Sequence, residues 1–115
     1  MTLLVVCDSP IVSDRLVDKL ARLKCVTATV QLRNGEDALR FVAAENPEVV
    51  IIDVHLEAGS GMDLLRKVGR RENPPLVIAV SGSAHSQYLR QSMKEGADHF
   101  IKLPEEIDKL TEILE

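Results

Sequence analysis

Three side chains with oxygen donors stand at the ends of short apolar runs in the 115-residue chain: Asp8 after LLVVC, Asp53 closing VVIID and Ser81 after LVIAV. A continuously apolar run of about five residues suits a strand covered on both faces. A charge at its end therefore needs a partner or a task. Two carboxylates and a hydroxyl form a hard-oxygen set of the kind that takes hydrated Mg²⁺, which keeps several waters and is commonly held by one or two carboxylates plus a phosphate. A carboxylate beside such a cation can also be a nucleophile, because Asp forms acyl phosphates while the metal offsets charge on the transferring group.

The elements that must position these residues alternate along the chain. Leu3 to Cys7 reads as a strand, and a helix follows Pro10 with Leu16, Leu20 and Leu23 on one face, ending near Lys24. Val26 to Leu32 alternates apolar and polar residues, the pattern of an edge strand. Asn34-Gly35 opens a second helix that Asn46-Pro47 stops. The third unit is VVIID, the loop VHLEAGSG and a helix from Met62 to about Arg71, with Leu64, Leu65 and Val68 inward. The fourth is LVIAV, SGSAH and a helix from Gln87 to Lys94 capped by Gly96. The fifth is HFIKL, Pro104 and an end helix with Ile107, Leu110, Ile113 and Leu114 facing the core. Five strand-helix units imply right-handed crossovers and a parallel sheet between helices, with chemistry gathered beyond the carboxyl ends of the strands.

Composition narrows the partners. With 14 basic and 18 acidic residues, the chain has no basic footprint for nucleic acid, so direct DNA binding by this domain is not expected. One Tyr, two Phe and no Trp leave few platforms for stacking bases or sugars. No apolar run approaches the roughly 20 residues of a membrane span, and the apolar start lacks a basic leader, so a cytoplasmic location is expected. Cys7 and Cys25 form no CxxC and have no His at ligand spacing, and are expected to be reduced thiols.

Nearly the whole chain resembles a response regulator receiver domain of two-component signalling. The features that carry the resemblance are Asp8, Asp53, Gly61 eight residues later, Ser81, the EGAD segment Glu95 to Asp98, Phe100 and Pro104. It implies a flavodoxin-like doubly wound (βα)5 fold with the strand order 2-1-3-4-5. It also implies one receiver domain over residues 1–115, open to being a piece of a longer regulator. By the same resemblance Asp53 accepts a phosphoryl group from a histidine kinase or phosphotransfer protein. Mg²⁺ is then held by Asp8, Asp53 and the backbone carbonyl of His55. Ser81 would bond a phosphoryl oxygen while Phe100 changes rotamer, switching a surface read by an output domain or downstream protein. The domain would be a signalling switch and not an ordinary enzyme, and a homodimer stays open.

Two departures stand out. The family places two consecutive acids after the first strand, and Cys7 occupies the first position, so weaker Mg²⁺ binding is expected. The family also has Lys directly before the Pro, where this chain has Leu103, with Lys102 one residue early. Either a bulge or a shortened turn returns Lys102 to the site, or the site lacks its lysine.

Simpler readings exist for each residue: Asp8, Ser9 and Pro10 as a helix N-cap region, Asp53 as a loop cap, Ser81-Gly82 as a turn. His55, His85 and His99 share no ligand spacing and read as solvent or loop positions. Gly59 to Gly61 lacks the Lys of a P-loop, and the basic cluster Arg66 to Arg71 reads as a solvated helix face. The competing functions are a phosphate-independent interaction or dimerisation module and an FMN carrier. The latter is disfavoured by the absence of a hydroxyl-rich phosphate loop and of stacking aromatics.

Overall fold

The computed structural model describes residues 1–56, 60–82 and 86–115. Five strands, β1 (Thr2–Val6), β2 (Ala28–Leu32), β3 (Val49–Asp53), β4 (Leu76–Ser81) and β5 (His99–Lys102), alternate with five helices. The helices are α1 (Pro10–Ala21), α2 (Gly35–Glu45), α3 (Ser60–Gly69), α4 (Ser86–Glu95) and α5 (Lys109–Leu114). All strand pairs are parallel and the sheet order is β2-β1-β3-β4-β5, the order the resemblance implies.

Because successive side chains of a strand point to opposite faces, the apolar strands feed two cores. Leu3, Val5, Ile51, Ile78, Val80 and Ile101 pack beneath α1 and α5, against Leu16, Leu20, Leu110 and Leu114. Leu4, Val6, Val50, Ile52, Val77 and Ala79 pack on the other face against Ala38, Val42, Leu64, Leu65 and Val68. β2 lies at the edge and stays half-exposed, which is why it alone alternates.

Local signals set the helix ends. Ser9 Oγ accepts the Val12 amide at 3.4 Å and Pro10 opens α1, so Ser9 is the cap and Asp8 is left for another task. Asn34 caps α2 by accepting the Asp37 amide at 2.9 Å. Asn46 ends α2 in the left-handed region at φ 46°, and Gly96 follows α4 at φ 121°. α1 stops at Ala21, short of Lys24, because the chain turns there, with the Leu23 carbonyl accepting the Val26 amide. β2 starts at Ala28, opposite Thr2, rather than at Val26. α3 runs from Ser60 to Gly69 instead of Met62 to Arg71. Its last residue lies against Gly96, where a Cβ on Gly69 would stand 3.2 Å from the Gly96 carbonyl oxygen. Among the described residues no helix is long and apolar enough to cross a membrane.

Candidate functional site

β1 and β3 are sheet neighbours, in register to Val6 opposite Ile52. One further residue brings Cys7 beside Asp53. The Cys7 amide still donates to Leu32 at 3.0 Å and the Val54 amide to Val80 at 3.1 Å, so both strand ends are held while their side chains emerge at the carboxyl edge. Sγ of Cys7 and one carboxylate oxygen each of Asp8 and Asp53 all lie within 4.8 Å of one another. Asp53 is half-buried and engaged at both oxygens: Oδ1 accepts the His55 amide at 2.8 Å, and Oδ2 accepts the Cys7 thiol at 3.4 Å.

Cys7 itself is 2% exposed. Burial pushes its thiol from 9.0 up to about 11; a backbone hydrogen bond at Ser9 opposes this, and the charge and hydrogen bond of Asp53 add to it. The group beside Asp53 at neutral pH is therefore a protonated donor.

Ser81 is 1% exposed at the end of β4, and its Oγ lies 2.8 Å from His55 Nε2. The His55 ring meets Tyr88 of α4 edge-on, with centroids 4.6 Å apart and planes at 75°. His55 is thus an exposed loop residue, as its sequence position suggests, yet its ring joins the third strand's loop to Ser81 and α4. The contacts of the His55 side chain with Ser81 and Tyr88 had no signal in the sequence, since 26 residues separate His55 from Ser81. His99 is half-buried on β5, and His85 lies outside the described residues, as does Gly59 of the GSG stretch.

Gly61 has a steric reason. A Cβ there would lie 2.6 Å from the carbonyl oxygens of Asp53 and Val54, so only glycine lets the first turn of α3 close on the end of β3.

At β5, regular pairing continues through Ser81 opposite Lys102, and the Leu103 amide donates to the Ser81 carbonyl at 2.8 Å. There is no bulge in this register. Leu103 is buried in the core beneath α1 and α5, the face that also carries Cys7. Lys102 points the other way, with Nζ 3.3 Å from Glu105 Oε2, and Phe100 is half-buried against the core that holds Tyr88. In the basic cluster, Arg66 and Lys67 pair with Asp63 on the surface of α3, the solvated face expected of them.

Asp8 and Asp53 fit a hard divalent cation. Cys7 does not fit Mg²⁺ as a third donor, because magnesium selects oxygen and a thiol is soft.

A family model for the response regulator receiver domain matches residues 3–115. The probable C4-dicarboxylate response regulator DctR of Bacillus subtilis is 26% identical over 108 residues, covering 94% of this chain and 48% of that protein. The sensory transduction protein LytT of Enterococcus faecalis is 26% identical over 115 residues, 100% of this chain and 47% of its own length. The chain spans about half the length of these curated relatives. A response regulator from Thermotoga maritima superposes with TM-score 0.83 at 24% identity, covering 97% of this chain and 92% of that one. A response regulator protein from Burkholderia pseudomallei, solved with a phosphorylated aspartic acid, calcium ion and citrate, superposes with TM-score 0.84 at 24% identity, covering 99% of this chain and 66% of that one.

Proposed function

The chain belongs to the response regulator receiver domain family, and from that membership we propose that it is a phosphorylatable switch with Asp53 as phosphoacceptor. The observation that carries this reading is the convergence of the Asp8 and Asp53 carboxylates at the carboxyl ends of β1 and β3. The aspartyl phosphate recorded for the Burkholderia relative supports the same chemistry here.

Asp53 presents Oδ2 toward Cys7, while the His55 amide steadies Oδ1. A divalent cation held by Asp8, Asp53 and the His55 backbone carbonyl would offset charge on the incoming phosphoryl group. Ser81 would exchange its bond to His55 for one to a phosphoryl oxygen, and that exchange frees the His55 ring from its bridge to Tyr88. Phe100, on the same side of β5, would adjust with it. Lys102 would reach a phosphoryl group only by leaving Glu105. The altered face would be read by an output domain or a downstream protein, and the phosphoryl donor would be a histidine kinase or phosphotransfer protein. The domain is a cytoplasmic signalling module on this reading, with residues 1–115 as one receiver domain of a longer regulator.

Intact mass after incubation with Mg²⁺ and acetyl phosphate tests the proposal, with a gain of about 80 Da for one phosphoryl group expected and lost in Asp53→Asn. No gain from acetyl phosphate or from a phosphorylated phosphotransfer protein would overturn it. A second reading, a receiver that works without phosphate as an interaction module, is favoured by the Cys7 contact to Asp53 and by Leu103 in the lysine position.

A further inference from the structure

We propose that the cluster of Cys7, Asp8 and Asp53 selects a thiophilic divalent cation, Zn²⁺ in the first instance, over Mg²⁺. The inference rests on the placement of the cation site given above, but not on phosphoryl transfer.

The spacing of the donors favours this choice. With a zinc–sulfur bond of about 2.3 Å and a zinc–oxygen bond of about 2.1 Å at a tetrahedral angle, sulfur and oxygen stand about 3.6 Å apart. Cys7 Sγ and Asp53 Oδ2 are already 3.4 Å apart. The other carboxylate oxygen, Oδ1, is occupied by the His55 amide, so the one facing the sulfur is the one left for a metal. Asp8 supplies the third donor within 4.8 Å of both. Three protein donors leave a fourth tetrahedral position for water or an anionic oxygen, the arrangement of an open zinc site.

Softness points the same way. A thiolate prefers Zn²⁺ or Cd²⁺, whereas carboxylate sites without sulfur suit Mg²⁺. On binding, the Cys7 S–H proton passes to solvent as the sulfur–metal bond forms, and the thiol's hydrogen bond to Asp53 is replaced by a shared cation. No oxidation is involved.

The test uses the reduced, metal-free chain titrated with Cd²⁺, Zn²⁺ and Mg²⁺. One equivalent of Cd²⁺ is expected to produce ultraviolet thiolate-to-metal charge-transfer absorption in the wild type and in Cys25→Ser, and none in Cys7→Ser. Zn²⁺ affinity, measured against a competing chelator, is expected to fall about tenfold or more in Cys7→Ser and in Asp8→Asn, the latter keeping the buried sulfur. Cys7→Asp is expected to exchange that preference for Mg²⁺. The proposal is overturned if no absorption appears, if it follows Cys25, or if Mg²⁺ displaces Cd²⁺ at equal concentration. Absorption without any phosphoryl gain on Asp53 would retain the cation selectivity and remove the phosphoacceptor reading. Phosphoryl gain without absorption would do the reverse.

Discussion

The Cys7 thiol donates to Asp53 Oδ2 at 3.4 Å, so the carboxylate at the centre of the site already has a protein partner. That partner is buried and protonated, a neutral group where the family carries an acid. Fewer negative charges crowd Asp53 as a result, and the donors gathered there are two hard oxygens and one sulfur.

The thiol's ionisation gives a pH signature. Its folded value is raised from 9.0 to about 11, so the folded chain keeps a proton that the unfolded chain loses in that interval. Its contribution to stability is therefore complete below pH 9.0 and is lost as pH rises toward about 11. Urea unfolding across this window is expected to show a decline that shrinks in Cys7→Ser. In Asp53→Asn, which removes a charge that raises the thiol, Cys7 is expected to be alkylated at lower pH than in the wild type.

Gly61 and Gly82 form a contrasting pair. Gly61→Ala drives a Cβ to 2.6 Å from two backbone oxygens, whereas a Cβ on Gly82 meets nothing within 4 Å among the described residues. Gly61→Ala is expected to cost about 1–3 kcal/mol in denaturant unfolding, as overpacking does. Gly82→Ala is expected to be near neutral; equal losses at the two positions would contradict the close approach of α3 to β3.

The end of β5 predicts opposite outcomes for adjacent residues. Lys102→Ala removes an ion pair with Glu105 at the surface and is expected to change stability by less than about 1 kcal/mol. Leu103→Ala empties a buried position and is expected to cost about 2 kcal/mol or more. Leu103→Lys places an ammonium on the face that holds Cys7, and is expected to speed phosphorylation by acetyl phosphate while lowering the unfolding midpoint.

Tyr88 provides a built-in reporter, because the chain has one Tyr and no Trp. Its ring touches His55, which bonds Ser81. Tyrosine fluorescence is expected to change in His55→Ala and Ser81→Ala. A phosphoryl-dependent change in the wild type is expected to vanish in Asp53→Asn. An emission indifferent to all three substitutions would break the proposed link between Ser81 and α4.

What the chain's own letters determined is the framework. Continuous apolar runs demanded strands covered on both faces, and helix-spaced leucines supplied the covers, so the pattern by itself sets Asp8, Asp53 and Ser81 at one sheet edge. The lysine offset, Lys102 before Leu103 and Pro104, was legible only against the pattern of the family the chain resembles. Tertiary structure alone decided the rest, for a physical reason: these outcomes depend on distances between residues remote in sequence. Regular pairing of Ser81 with Lys102 excluded a bulge there and sent Leu103 into the core. Ser9 took the cap and left Asp8 to the cluster. The side-chain contact of Cys7 with Asp53, across 46 residues, and that of His55 with Ser81, across 26, arise only when parallel strands bring their ends together.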